Sequence, residues 1–217
     1  MSRTQKKPWP TKAAMEQVYE QHLWGGKDQD FYSGFGSHDP EYVDPYVKSV
    51  AAFLASFEEP MAVCDLGCGD FNVGKELVGY ASRYIAVDIA EPLIERNKNK
   101  FSDPGLEFRC LDVSKEELPS GDCAILRHVL QHLSNAEVQC IVSKLSGYNY
   151  AIITEHVPEG EFIPNKDIIS GQGTRLRKHS GLVLSEPPFN MVAKEQRPLL
   201  TLADSHGLMI TSLYTFF

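Results

Sequence analysis

The chain has 217 residues, 42% of them hydrophobic, and a formal net charge of −8. That length suits one substantial core in one domain, and no apolar run approaches the roughly 18 consecutive residues needed to cross a bilayer. The start, Met1 to Pro10, is charged and lacks the apolar run of a signal peptide, so a cytoplasmic protein is expected. The negative charge weighs against nucleic acid, whose phosphates need clustered Lys and Arg, and favours a small-molecule partner.

In chain order, the first dozen residues, with Lys6, Lys7, Pro8 and Pro10, read as a tail and about Lys12 to His22 as a helix. The run Trp24 to Asp39, WGGKDQDFYSGFGSHD, mixes glycines and aromatics without helix or strand periodicity. It reads as an ordered covering loop, with Trp24, Tyr32, Ser33, Gly34, Gly36 and Ser37 as lid candidates. The alternative is a segment simply packed on the sheet. This divides the chain into an extension, 1–42, and a binding domain, 43–217. Asp44 and Pro45 suit an N-cap and first turn, and Val47, Val50, Ala51 and Leu54 continue a helical face.

Short apolar runs follow at Met61–Leu66, Tyr84–Val87, Leu106–Cys110, Cys123–Leu126 and Tyr150–Thr154, alternating with helical segments. This pattern predicts an α/β fold, a doubly wound and mostly parallel sheet. One helix follows Ser134, where Ser134 and Glu137 have capping-box spacing. Beyond Glu155 the expectation is a Gly- and Pro-containing insertion, a strand-like Leu182–Leu184, a helix near Leu199–Ser205 and a last strand near Leu208–Phe216 on an antiparallel edge. The five cysteines lie in or beside apolar runs without paired CxxC spacing, so no metal site is expected.

The sharpest motif is VCDLGCGD, Val63 to Asp70, an acidic strand end followed by Gly67 and Gly69. A dinucleotide fingerprint would place a third glycine at Asn72, and Asp65 would repel phosphates. A carboxylate at this turn suits an ammonium group instead, and S-adenosylmethionine carries one. Asp88, with Ile89 after it, lies 21 residues beyond Gly67, a spacing that suits ribose binding. It would equally cap the following helix.

On these residues the chain resembles the class I S-adenosylmethionine-dependent methyltransferases, with a Rossmann-like fold. The WGG…SGFGS segment before the motif is also similar to a group of bacterial methyltransferase-like sequences. Asp65, Gly67 and Gly69 match the family's first motif, while Phe71 replaces its third small residue and would pack beside the methionine part of the cofactor. The resemblance implies an adenine contact at Asp112, with the backbone of Val113 beside it. A turn-forming Asp112 is the alternative. It further implies that residues after the fourth strand, Arg127, His128, Gln131 and His132, border cofactor and acceptor.

Methyl transfer from a sulfonium depends mainly on alignment and water exclusion, so few catalytic residues are needed. For a hydroxyl or amine acceptor, His128 is the first candidate base, with His156 and Glu155 behind it. His132 reads as a packed residue bonded to backbone. The basic cluster Arg175, Arg177, Lys178 and His179 would meet an anionic substrate group, or form a solvated loop. The expectation is methyl transfer from S-adenosylmethionine, leaving S-adenosylhomocysteine, to a small O or N acceptor. Its rivals are a non-catalytic cofactor-binding module and an NAD-type oxidoreductase.

Overall fold

The computed structural model describes residues 9–217, so most of the expected tail lies outside the described residues. Two helices come first, α1 (Thr11–Glu20) and α2 (Pro40–Leu54). The start of α2 differs from the expectation. Asp39, not Asp44, is the N-cap, accepting from the Glu41 amide, and Pro40 takes the first turn. The same Asp-Pro chemistry occurs twice, five residues apart, and Pro45 falls inside the helix. The expected division between residues 42 and 43 therefore cuts α2.

Next come β1 (Ala62–Leu66), β2 (Arg83–Asp88), α3 (Glu91–Lys100), β3 (Leu106–Cys110), β4 (Cys123–Arg127), α4 (Asn135–Leu145) and β5 (Tyr150–Val157). The chain closes with β6 (Glu195–Asp204) and β7 (Gly207–Thr215). The seven strands lie in the order β3-β2-β1-β4-β5-β7-β6. The first five pair in parallel, and β7 runs antiparallel to both β5 and β6. This is the mostly parallel, Rossmann-like sheet with an antiparallel C-terminal edge.

Strands β1, β2, β4 and β5 are near-continuous apolar runs because both faces of the sheet are covered. On one face α2 buries Tyr46, Val50 and Leu54 against Val63, Tyr84, Ile125 and Leu213. On the other, α4 sets Val138, Ile141 and Leu145 against Cys64, Ile85, Leu126 and Ile153. Burying each such side chain contributes about 1.5–3 kcal/mol. Ser134 and Glu137 make both halves of the capping box that starts α4.

Two C-terminal expectations fail. Leu182–Leu184 is not a strand; Leu182 and Leu184, with Phe189, pack irregular chain onto the sheet in place of a crossover helix. Residues 199–205 are not helical either, since Leu199 to Asp204 extend along β7 as the end of β6. No helix among the described residues is long and apolar enough to cross a membrane.

Candidate active site

At the C-terminal ends of the parallel strands lies a cavity of about 560 Å³, where β1 and β4 diverge into loops on opposite sides. The first motif forms its floor. Gly67 and Cys68 donate their amides to the Val87 carbonyl, turning the chain back over β2. Gly67 sits at φ +97°, a conformation that L side chains resist. A Cβ there would lie 2.4 Å from Val129 Cγ2, so this glycine gives room to Val129 as well as to a ligand.

Asp65 lines the cavity, where burial pushes its carboxyl up to about 7. Its Oδ2 accepts from the Tyr84 hydroxyl at 3.0 Å, and among the described residues Arg127 acts on it through its charge without forming an ion pair. A buried carboxylate with one neutral donor suits an ammonium ligand, which would donate to its remaining lone pairs. Beneath it Gly74 supplies the smallness absent at position 71, because a Cβ there would meet Phe71 at 2.5 Å and Asp65 Oδ2 at 2.9 Å. Sequence reasoning passed over Gly74.

Asp88 also lines the cavity, with burial raising its carboxyl. Its Oδ2 accepts the Gly69 amide at 3.1 Å and its Oδ1 accepts the Ala90 amide at 3.0 Å. It thus ties the first motif to the start of α3, with further lone pairs open to a ligand. Ile89, Leu111 and Val113 add apolar wall beside it. Asp112 is at the rim, but its carboxylate is engaged locally. It accepts from the Ser114 amide and hydroxyl and pairs with Lys115. Burial alone would raise this carboxyl, and those bonds bring it below its ordinary value.

Phe71 corrects an expectation. It is fully buried away from the cavity, in contact with the rings of Tyr84, Phe101 and Phe108. The motif turn leaves it at φ +64° with its side chain in the core, so it touches no ligand space.

The opposite end of the cavity is rich in histidine. His128 follows β4 at φ +57°, half-buried, with its Nε2 shielded from solvent and unpartnered among the described residues. Burial first, then the charges of Arg127 and the neighbouring histidines, hold it well below the ordinary histidine value. His132 also lines the cavity, packs against Trp24 at 5.0 Å between centroids with the rings tilted by 46°, and is lowered to about 4 by burial. Gln131 accepts the His156 amide through Oε1.

Glu155 and His156 part company because side chains alternate along β5. His156 reaches the cavity, and its Nε2 lies 3.0 Å from Asp204 Oδ1. Glu155 does not line the cavity; its Oε1 accepts the Leu130 amide behind it, and burial raises its carboxyl to about 8. The basic cluster is redistributed as well. Arg177 is exposed and outside the cavity wall. Arg175, 1% exposed, donates to the carbonyls of Leu130, Gln131 and Leu133 and to Asn135 Oδ1, fixing the segment after β4 from below.

Trp24 and Ser33 to Ser37, from the expected covering loop, line the cavity. Ser33 and Asp70 exchange two hydrogen bonds at 2.8 Å, His38 Nε2 meets Asp70 Oδ2, and Arg127 donates to Ser37 Oγ and the Gly36 carbonyl. Arg127 thus holds the cover to β4, with its guanidinium 4.7 Å above the Tyr46 ring. Tyr32 stacks outward on His38 at 4.3 Å and does not line the cavity. Sequence reasoning also missed the inner wall formed by Thr11, Met15 and Tyr19 of α1, and the contribution of Asp204, His206 and Met209 from the β6–β7 hairpin. The apolar spacing of α1 was legible, but its partner was not.

Residues 63–147 match the model of a family described as a methyltransferase domain. A stretch of 86 residues is 28% identical to carboxy-S-adenosyl-L-methionine synthase of Shewanella loihica, covering 38% of this chain and 35% of that protein. Among solved structures, magnesium protoporphyrin IX methyltransferase (ChlM) of Synechocystis with bound SAM aligns over 98% of this chain and 100% of its own, at 16% identity and TM-score 0.62. The N-methyltransferase NodS of Bradyrhizobium japonicum with S-adenosyl-L-homocysteine aligns over 93% and 98%, at 10% identity and TM-score 0.64. The segment from the first motif through α4 therefore matches a methyltransferase domain, and the whole chain has the Rossmann-like fold of class I methyltransferases.

Proposed function

We propose that this protein transfers a methyl group from S-adenosylmethionine to a small O or N acceptor. The observation that carries the reading is the buried Asp65 carboxyl, without an ion-pair partner among the described residues, beside the Gly67–Gly69 turn and in one cavity with Asp88. When bound, S-adenosylmethionine supplies an electrophilic methyl group on a sulfonium. Asp65 would hold its amino group, Asp88 its ribose hydroxyls, and Ile89, Leu111 and Val113 its adenine. Asp112 would reach the adenine amino group only in exchange for its bond to Lys115.

The acceptor would enter at the histidine-rich end, between Gln131, His132 and the cover formed by Trp24 and Ser33 to Ser37. There the chain orients the nucleophile and excludes water, which together supply much of the rate enhancement. The relatives named for methyl transfer to porphyrin or to nitrogen support a small-molecule acceptor. Calorimetric titration with S-adenosylmethionine, S-adenosylhomocysteine and NAD tests the reading. Binding of the first two with no heat from NAD is expected; the reverse would establish an oxidoreductase site.

A further inference from the structure

The acceptor end of the cavity contains one imidazole with a carboxylate behind it. His156, on β5, and Asp204, at the last position of β6, are 48 residues apart in the chain and meet at 3.0 Å, Nε2 to Oδ1. Asp204 is itself fixed, because the same Oδ1 accepts the amides of His206 and Gly207 at the hairpin turn. A carboxylate on Nε2 fixes the proton there and leaves Nδ1 with its lone pair free. His128 has no such partner.

The lining also limits the acceptor's charge. Among the described residues Arg127 is the one Lys or Arg in the wall, and two of its nitrogens are committed to Ser37 and Gly36. Asp65, Asp70, Asp88, Asp112 and Asp204 all face the same space. Against that one guanidinium stand five Asp side chains, so a carboxylate or phosphate acceptor would lose its hydration in a wall of net negative charge.

We propose that His156 is the base for acceptor deprotonation, that Asp204 is its positioning residue, and that the site selects uncharged acceptors bearing an O–H or N–H. This rests on the reading of the cavity as a methyl-transfer site. The acceptor's lone pair forms the bond to the methyl carbon as the carbon–sulfur bond breaks, its electron pair passing to sulfur. The acceptor's proton goes to Nδ1 of His156, and the resulting imidazolium is stabilised by the Asp204 carboxylate. The base therefore sits on β5, where the parallel strands meet the antiparallel pair, and not at the end of β4.

The test uses sinefungin, a cofactor analogue with an amine at the position of the transferred methyl, against S-adenosylhomocysteine, both titrated by calorimetry. A bare Nδ1 accepts from that amine, so the wild type should bind sinefungin at least tenfold more tightly. The preference should fall to within twofold in His156→Gln and Asp204→Asn while S-adenosylhomocysteine affinity stays unchanged. It should survive in His128→Asn. A preference that is absent in the wild type, persists in His156→Gln and Asp204→Asn, or disappears in His128→Asn overturns the assignment. Loss of binding for both ligands in the wild type overturns the cofactor reading itself. Long-range nitrogen–proton NMR of the wild type needs no variant: a proton on Nε2 of His156 and none on Nδ1 is expected at neutral pH, and the opposite tautomer refutes the dyad.

Discussion

Asp88 reaches back across the sheet to Gly69, with Oδ2 accepting the glycine amide at 3.1 Å while Oδ1 accepts the Ala90 amide. One carboxylate therefore shapes the first motif, starts α3 and faces the cavity. Asp88→Ala should weaken S-adenosylhomocysteine binding at least tenfold, about 1.4 kcal/mol. It should also destabilise the protein by about 1–3 kcal/mol for each buried amide left unpaired. Calorimetry and urea unfolding read the two effects separately, and unchanged affinity in a folded variant would remove Asp88 from the ligand site.

Asp65 makes a prediction about pH. Its carboxyl is raised to about 7 by burial, so in the free protein it is protonated below that value. A ligand ammonium requires the carboxylate, so affinity for S-adenosylhomocysteine should rise with pH through about 7 and level off above it. On the acid side the limiting slope is about tenfold per pH unit. Asp65→Asn should bind weakly and lose the slope between pH 5.5 and 7.5. A wild-type affinity flat across that interval would place the amino group elsewhere.

Glu155 carries the complementary effect on stability. Its carboxyl, raised to about 8 by burial, binds a proton more tightly folded than unfolded. Its contribution is therefore full below the ordinary glutamate value near 4.5 and is lost as pH rises through about 8. Glu155→Gln keeps an acceptor for the Leu130 amide and removes the titration. The variant's Tm relative to wild type should climb steadily from pH 4.5 to pH 8. A constant difference would show that Arg175 keeps Glu155 ionised throughout.

The cover yields a dynamic prediction. Asp70 holds it through Ser33 and His38, and Arg127 holds it through Gly36 and Ser37. Hydrogen exchange across residues 24–38 should slow when S-adenosylhomocysteine is added, because the ligand supplies further contacts beneath it. Asp70→Ala should speed exchange in the same residues of the free protein. Equal exchange with and without saturating ligand would identify a fixed wall, and Trp24→Ala would then lower stability and leave turnover unchanged.

Much of the sheet was legible because β1, β2, β4 and β5 are short apolar runs whose composition alone distinguishes them from the intervening helices. The start of α4 was legible because a capping box is local chemistry. Residues 199–205 were misread because Leu199, Leu200, Leu202 and Ala203 fit a helical face, and only pairing with β7 decides for a strand. At the site, Asp65, Gly67 and Asp88 announced themselves through strand-end position and spacing. Asp204 did not, since its proximity to His156 arises from the antiparallel edge and from no local pattern. Glu155 and His156 were inseparable by sequence; strand alternation sends one to the cavity and the other behind it.

The matched methyltransferase segment ends at residue 147, before β5 begins, whereas His156, Asp204, His206 and Met209 all belong to the chain beyond it. On the proposed assignment, Asp65 and Asp88 lie inside the matched segment and the His156–Asp204 pair lies beyond it, while Gln131, His132 and the N-terminal cover complete the acceptor end. If that assignment holds, a lineage retaining Val63 to Leu145 while exchanging the insertion and the terminal hairpin would change its acceptor and keep Asp65 and Asp88 in place. For the engineer, the same division makes the last third of the chain the place to randomise, with retained S-adenosylhomocysteine binding as the selection that keeps the library folded.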